Sequence, residues 1–402
     1  MSTSAALTAR GMGLVMREAS RAALDRRRPS TGPVPLHPSG VTPRWLESTL
    51  GLRHGSVRSV ALLDEDSGTA ARARIAIEAD PAAGLPEVAF VKSMPRNYLQ
   101  HVLMNAFDLG TREVHAYRAL GDEPPVRIPR CYAAVVDDRR HRNIMILEDL
   151  GPSARFRTVA DSLSAQEAEA MVDALADLHA AYWESGRFTR DMAPLAGRSG
   201  VANALGDVIR RQLLGKPRGA AAELVPGWMR HQSRIFFEQS ERIDAFWARQ
   251  PQTLIHGDPH LGNLFFIGDA PGLLDWQVAT INAGIRDVAY FATASVSPDL
   301  LRSLERGLVE RYAARLGAAG VEVDVEGQWT LYRAGVTELY LAAVSTAGSG
   351  ERMQPAEVSR AGVERAVAAV EAHDSFELLA DLITSGGTAR PSGGSGGSVR
   401  RP

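Results

Sequence analysis

Residues 253–277 carry the side chains whose types and spacing best serve chemistry. This segment reads HGDPHLGN at 256–263 and LLDWQ at 273–277. Asp258 precedes Asn263 by five residues on a loop between apolar runs, and Asp275 ends the following run. A carboxylate can accept a hydroxyl proton, and an amide oxygen with a second carboxylate offers hard ligands for Mg²⁺. This order matches the D-x-x-x-x-N loop of phosphoryl-transfer enzymes.

An ordinary turn-rich hairpin would also contain Asp, Asn and Gly. The ordered set, with strand-like runs on both sides of each part, favours the catalytic interpretation. In it the carboxylate of Asp258 reaches the acceptor hydroxyl, while Asn263 turns back toward metal and phosphates.

Lysine usage points to a second position. The chain has 45 basic residues, and its only lysines are Lys92 and Lys216. Where arginine is otherwise preferred, a retained lysine suggests a site that needs a compact ammonium group. Lys92 ends the strand-like run EVAFVK, whereas Lys216 lies in a Gly-Lys-Pro-Arg-Gly loop with no predicted role. A lysine at a strand end is commonly a solvated surface residue, so Lys92 gains its weight from the other motifs.

Together these motifs resemble those of the aminoglycoside phosphotransferase and choline kinase group, closest to its CHK kinase-like, or ecdysteroid-kinase-like, branch. The resemblance covers roughly residues 45–375 and includes LHAAYW at 178–183. It implies that ATP and Mg²⁺ are the cofactors. The residues to which it assigns roles are Asp258 as catalytic base, Asn263 and Asp275 as metal ligands, Lys92 on the α- and β-phosphates with Glu113 as its partner, and the hinge backbone at Leu147 and Asp149 for adenine.

The phosphate-covering loop departs from the protein-kinase pattern. We expect it at Ser67-Gly68-Thr69-Ala70, where Gly68 and Thr69 would offer backbone N–H groups to a phosphate. The segment lacks G-x-G-x-x-G. A second departure is that Trp276 and Gln277, rather than Phe-Gly, follow Asp275.

Three histidines and one further aspartate near the motifs are given supporting roles. We expect His179 to be a packed core residue and His256 to support the catalytic loop through hydrogen bonds. The role of His260 is left open. Asp287 is expected to cap the next helix and brace the loop, without a catalytic part.

The pattern of elements predicts an α+β, bilobal protein-kinase-like fold. Residues 1–40 are expected to be a flexible N-terminal arm, 41–150 a β-rich nucleotide-binding lobe, 151–385 a helical lobe with the catalytic loop and acceptor site, and 386–402 a disordered tail. Single helices are predicted over roughly 105–120 and 357–383, and Ser164-Ala165-Gln166-Glu167 is a capping box that begins another.

Composition excludes several classes. With 402 residues, 45% hydrophobic, 23% charged and a net charge of -2, the chain is neither disordered nor a nucleic-acid-coating protein. No apolar run reaches the roughly 18 residues of a membrane span. The single Cys131 favours a cytoplasmic location. The sequence leaves open the oligomeric state and whether ATP or GTP is the preferred nucleotide.

A small-molecule hydroxyl is the expected acceptor. Only eleven residues separate Asp275 from Asp287 and no Ala-Pro-Glu follows, so a protein kinase's activation segment has no room. Residues 186–250, a predicted wall of the acceptor groove, carry 11 Lys/Arg against 6 Asp/Glu, which disfavours a polycationic drug. We therefore expect a neutral, apolar or anionic acceptor. The aromatic side chains of this wall could line a pocket but are better explained as helix core; they are Trp228, Phe236, Phe237, Phe246 and Trp247.

Two alternatives remain. The first is an aminoglycoside or other antibiotic phosphotransferase. The second is a nucleotide-binding pseudokinase that acts as a regulatory module, which is disfavoured because Lys92 and all three residues of the catalytic segment are present.

Overall fold

The structure is a computed structural model that describes residues 3–27, 33–67, 70–197, 200–349 and 355–385. It has a first lobe built around a five-stranded antiparallel sheet and a second lobe made mainly of helices. The predicted α+β, two-lobed architecture is confirmed. The predicted tail at 386–402 lies outside the described residues.

The sheet of the first lobe places Lys92. Its strands are β1 Val57–Ser67, β2 Ala71–Ala79, β3 Val88–Ser93, β4 Cys131–Asp137 and β5 Arg142–Glu148, in the order β1-β2-β3-β5-β4. Along β2 the residues from Ala71 to Ile77 alternate between buried and partly or fully exposed, because successive side chains point to opposite faces. Arg72 is the cross-strand partner of Lys92, so both side chains project from the same face of the sheet.

Three helices pack on this lobe, one before its first strand and two between β3 and β4. They are α2 Pro43–Leu50, α3 Tyr98–Ala106 and α4 Leu109–Leu120. The single helix predicted over 105–120 is in fact the end of α3 and the whole of α4. The break falls at Asp108, which has a left-handed backbone with φ of 54°. Gly110 lets α4 approach the sheet, since a Cβ there would lie 2.0 Å from the Asn143 side chain.

The N-terminal segment differs from the flexible arm expected for residues 1–40. Residues Thr3–Arg27 form helix α1, which lies against α3 and against α6 (Gly200–Gly215) of the second lobe. Its anchor is a buried ion pair in which Arg142 donates to Asp25 over 2.9 and 3.1 Å. A second buried acid, Glu18, accepts from Arg21 at 2.9 Å and lies 3.3 Å from His141 Nδ1. The contact between Asp25 and Arg142 therefore links α1 to a residue 117 positions further along the chain.

Replacing Arg142 by Met is expected to lower the free energy of unfolding by about 3 kcal/mol, because Asp25 would keep a buried charge without its partner. The double variant with Asp25→Asn should recover part of that loss. Urea denaturation followed by circular dichroism measures both, with the exposed Arg139→Met as control. Equal stability of the Arg142 and Arg139 variants would show that the pair does not anchor α1.

The second lobe begins after β5 and holds eleven helices among the described residues. In addition to α6 they are α5 Ala165–Ala181, α7 Ala220–Leu224, α8 Gly227–Gln232, α9 Ile235–Glu238, α10 Ser240–Ala248, α11 Ile285–Ser295, α12 Pro298–Ala318, α13 Val325–Ser349, α14 Ala356–His373 and α15 Ser375–Thr384. The capping box at Ser164 and Glu167 is confirmed. The single helix predicted over 357–383 is two helices, divided at Asp374 with φ of 48°. No helix in the described ranges is both long and apolar enough to cross a bilayer.

Short strands embedded in this lobe carry the catalytic segment. They are β6 Arg155–Phe156, β7 Thr253–Ile255, β8 Leu264–Ile267, β9 Ala270–Leu273 and β10 Thr280–Asn282. As predicted, β8 and β9 form a hairpin, which β6 extends. β7 pairs instead with β10, so the loop at 256–263 leaves one small sheet and enters another. Both ends of the loop are thereby fixed by strands.

Candidate active site

The loop after β7 brings Asp258 and Asn263 together. The side-chain amide of Asn263 donates to the Asp258 backbone oxygen at 3.0 Å and to its carboxylate at 3.2 Å. Gly257 has φ of +84°, and a Cβ there would lie 2.8 Å from the Val278 carbonyl oxygen. Only glycine therefore fits this turn without strain. The five-residue spacing closes a loop that orients the Asp258 carboxylate.

The Asp287 side chain braces the same loop. Its buried carboxylate accepts hydrogen bonds from the backbone N–H groups of His256 at 2.6 Å and Gly257 at 2.9 Å. The expected bracing is confirmed, but the expected helix cap is wrong. Gly284 is the N-cap of α11 and makes no side-chain cap bond, because the Asp287 carboxylate points to the loop.

Two of the histidines have the supporting places expected of them. His179 is fully buried, with its Nδ1 3.0 Å from the Tyr312 hydroxyl and its Nε2 3.4 Å from Asp287. His256 Nε2 lies 2.7 Å from the carbonyl oxygen of Leu274, and its ring meets Trp276 edge to face. Burial lowers the pKa of His256 despite the nearby acids. A neutral ring that donates to Leu274, the residue before Asp275, ties the two halves of the motif together.

His260 lies beside Asp258. Its Nδ1 accepts from the Gly262 backbone N–H at 3.0 Å, which leaves Nε2 3.5 Å from the Asp258 carboxylate. Burial lowers the pKa of His260, but the charge and hydrogen bond of Asp258 together with the Asp275 charge outweigh it, and the net shift is upward. Tyr290 lies on the other side, where burial and then the Asp258 charge raise its pKa.

Lys92 joins the two lobes through a pair of acids. Its ammonium group lies 2.7 Å from Glu113 on α4 and 2.9 Å from Asp275 after β9. Lys92 and Glu113 are buried, whereas about a third of the Asp275 side chain is exposed. Asp275 has φ of 62°, an unusual conformation for a residue with a side chain. Sequence reasoning predicted these three residues for one site, and the structure brings them together.

Burial and pairing set the charges of this triad. Burial raises the pKa of Glu113 to about 7, against the opposing effect of Lys92. Burial also raises the pKa of Asp275, but Lys92, Arg72 and His256 together outweigh it and the net shift is downward. For Lys92, burial lowers the pKa, while Asp275 and Glu113 together bring about a net rise. The lysine is therefore a fixed cation at the inner end of the cleft.

A cavity of about 520 Å³ opens beside this triad. One part of its wall is apolar and includes Phe90, Tyr117, Leu147 and Leu274, while Asn263 and Asp275 line its polar end. Further lining residues come from the connection between the lobes and the β1–β2 tip; they include Glu148, Asp149, Leu150, Asp64 and Glu65.

The connection between the lobes, which follows β5, brings the backbone of Asp149 to the cavity wall. β5 ends at Glu148, one residue before Asp149, so the Asp149 backbone lies beyond the sheet ladder. The Asp149 carboxylate accepts from the Gly151 N–H at 3.0 Å and fixes the bend. Leu147 and Asp149, the residues expected to bind adenine through their backbone, line the cavity, whereas Gly68 and Thr69 lie outside the described residues.

A second and larger opening, of about 970 Å³, adjoins Asp258. We call it the acceptor groove; its lining includes Asp258, His260, Tyr290, Ile281, Leu339 and Ala342. Part of the predicted wall contributes, through Arg210, Asp244 and Ala248. The aromatic side chains of that wall do not line the groove in the described part of the chain, and Phe236, Phe246 and Trp247 are buried in the core as expected.

Arg72 is the residue that sequence reasoning missed. It lines both the 520 Å³ cavity and the acceptor groove, and its positive charge contributes to the lowered pKa of Asp275, after burial and Lys92. The available signal was register, because the antiparallel pairing of β2 with β3 makes Arg72 the cross-strand neighbour of Lys92.

The polar end of the cavity suits Mg²⁺ only in part. The Asn263 amide and the Asp275 carboxylate are hard oxygen donors on one wall. In the described ranges no three His, Cys, Asp or Glu side chains cluster closely enough to hold a metal by themselves. Mg²⁺ typically keeps waters and substrate phosphates among its ligands, so two protein donors are compatible with it.

The fold and site define the class as a kinase-like phosphotransferase. Residues 67–320 match the Ecdysteroid kinase-like family, and the chain belongs to that family. This confirms the resemblance seen in the sequence motifs. No curated protein matches the chain.

Several solved structures are similar in fold at low sequence identity. Choline kinase LicA from Streptococcus pneumoniae is 15% identical, covers 79% of this chain and 95% of its own, and has a TM-score of 0.47. A choline/ethanolamine kinase family protein from Mesorhizobium loti is 13% identical, with coverage of 80% and 92% and a TM-score of 0.45. A putative aminoglycoside phosphotransferase from Ralstonia eutropha JMP134 is 15% identical, with coverage of 84% and 97% and a TM-score of 0.44.

Proposed function

We propose that this protein transfers the γ-phosphoryl group of ATP, with Mg²⁺, to a hydroxyl group of a small molecule. The observation that carries the proposal is the buried Lys92 ammonium held between Glu113 and Asp275 at 2.7 and 2.9 Å. It lies at the end of a cavity that adjoins the groove containing Asp258. A fixed cation, hard oxygen donors and a carboxylate at the acceptor side are the parts that phosphoryl transfer requires.

In the proposed reaction the phosphates of ATP lie along Lys92, and the adenine occupies the apolar part of the cavity near Leu147 and Asp149. When bound at Asn263 and Asp275, Mg²⁺ would neutralise charge on the β- and γ-phosphates. Asp258 orients the acceptor hydroxyl and accepts its proton late in the transfer. Because the transition state is loose, positioning and electrostatic stabilisation supply most of the rate.

The acceptor groove supports a neutral, apolar or anionic alcohol over a polycation. Its described lining includes the acids Asp244, Asp258, Asp287 and Glu338 and the bases Arg72, Arg210 and Arg286. Two of those acids are already engaged, since Asp287 binds the catalytic loop and Glu338 pairs with Arg286 at 2.7 Å. The free acidic charge that a polycationic antibiotic requires is therefore small.

Arg72 is proposed to stabilise the transferring phosphoryl group, since it lies at the junction of the two cavities. Arg72→Gln is expected to lower kcat about a hundredfold, the usual effect of losing one donor to a developing charge. KM for ATP should change much less. Steady-state kinetics with the exposed Arg58→Gln as control tests this. A change confined to KM would assign Arg72 to ground-state binding instead.

The proposed function is tested by incubating the protein and ATP with a metabolite extract and searching by mass spectrometry for products heavier by one phosphoryl group. We expect such a product with wild-type protein and its absence with Asp258→Asn. Nucleotide binding without any product across a broad panel of alcohols would favour the pseudokinase. A product formed only from aminoglycosides would favour the antibiotic phosphotransferase, which drug-susceptibility tests on expressing cells would also reveal.

A further inference from the structure

Helix α1 presents an outward face with large apolar side chains. Met12, Met16 and Leu24 are 66%, 67% and 64% exposed. They are separated by four and eight residues, so they project from one side of the helix. Isolated exposed apolar residues are ordinary, but three on one side of a helix, interrupted there only by the exposed Ser20 between Met16 and Leu24, form an apolar strip.

The charges of α1 are divided between its two faces. Over residues 11–27 the acids Glu18 and Asp25 are buried, whereas Arg17, Arg26 and Arg27 are exposed. No exposed acid is present in that range. The sequence of this segment contains both acidic and basic residues. Its outward side, however, carries only apolar and positively charged side chains among its large residues.

The start of α3 extends this surface. Tyr98 and Leu99 are 40% and 60% exposed. The Tyr98 hydroxyl donates to the Ala19 carbonyl oxygen at 2.6 Å, and the Arg26 guanidinium lies 5.5 Å from the centre of the Tyr98 ring. We call the combined surface the α1 face; it consists of Met12, Met16, Arg17, Leu24, Arg26, Arg27, Tyr98 and Leu99.

The buried side of α1 keeps this face outward. The bidentate bond between Asp25 and Arg142, together with the contact of Glu18 with His141, fixes the rotation of the helix about its axis. Turning the apolar strip inward would break a buried ion pair, which is strongly unfavourable. The exposure of the strip is thus a consequence of the anchor.

We infer that the α1 face docks on an anionic lipid surface, with its apolar side chains in the outer acyl region and its arginines among the headgroups. Amphipathic helices of this composition lie in the plane of the membrane interface. A second copy of the chain fits less well, because a symmetric contact would bring arginine-rich faces together. This docking is independent of the proposed reaction.

Cosedimentation of the full chain with vesicles tests the inference. We expect binding to an equimolar mixture of phosphatidylcholine and phosphatidylglycerol, weak binding to phosphatidylcholine alone, and a loss of binding as salt is raised. The double variant Arg17→Gln, Arg27→Gln should bind the mixed vesicles about 25-fold more weakly, from roughly fivefold for each arginine. The triple variant Met12→Gln, Met16→Gln, Leu24→Gln should lose at least about tenfold.

Matched controls separate the α1 face from exposure in general. Leu62 and Leu63 on β1 are 46% and 52% exposed, so Leu62→Gln, Leu63→Gln should bind like wild type. The pair Arg44→Gln, Arg302→Gln controls for net charge. Circular dichroism verifies that each variant is folded. The double variant Arg17→Gln, Arg27→Gln tests the α1 face even if the triple variant does not fold.

Three results would overturn the inference. They are no binding to the mixed vesicles at low salt, equal losses in the face and control variants, or a dimer in sedimentation equilibrium that the triple variant dissociates without any vesicle binding by wild type. The last result would assign the face to a second copy of the chain.

Discussion

Asp258→Asn is expected to lower kcat by about a hundredfold to ten thousandfold, the contribution typical of a positioned proton acceptor. The amide has nearly the shape of the carboxylate and can still accept a hydrogen bond from the acceptor hydroxyl. It cannot take the proton. The bond from Asn263 to the Asp258 backbone does not depend on the side chain, so the loop should keep its form.

Separate measurements of binding and turnover make this result specific. Calorimetry should give wild-type affinity for ATP, because Asp258 lines the acceptor groove and is absent from the lining of the nucleotide cavity within the described residues. The exposed Asp269→Asn, in the turn of the β8–β9 hairpin, is the matched control and should be silent. Full activity of Asp258→Asn on the true acceptor would refute the proposed mechanism.

The catalytic segment could be predicted because its information is local. Asp258 and Asn263 lie on one loop whose ends are fixed by strands that the apolar runs already indicated. The contact between Lys92 and Glu113, which are 21 residues apart, could be predicted only from the family resemblance. Periodicity alone does not orient a helix against a sheet. The sequence did predict a helix over roughly 105–120, which bears Glu113.

Other features depend on relations that a linear pattern does not contain. The order of α1 depends on Asp25 meeting Arg142, 117 residues away, and a charged residue is usually expected at the surface. The breaks at Asp108 and Asp374 are left-handed positions occupied by aspartate, without the Gly or Pro that normally signals a helix end. Arg72 required the register of two strands.

Lys92→Arg is the sharpest test of the nucleotide site, because it keeps the positive charge and changes only its shape. The Lys92 side chain is 8% exposed and its ammonium group lies within 3 Å of two carboxylates on different elements. A compact ammonium can meet Glu113 and Asp275 at once. A planar guanidinium directs its donors in a fixed fork and needs more volume, so it would displace one of these acids or the phosphates.

We therefore expect Lys92→Arg to lower kcat/KM for ATP at least about a hundredfold, the loss that follows when one fixed charge no longer reaches the transferring group. Lys216→Arg is the same substitution at the chain's only other lysine, which is exposed, and it should be nearly silent. Steady-state kinetics and thermal denaturation of both variants separate a defect at the site from a loss of folded protein. Equal activity of the two variants would mean that the shape of the cation between Glu113 and Asp275 does not matter, and the assignment of Lys92 to the phosphates would be wrong.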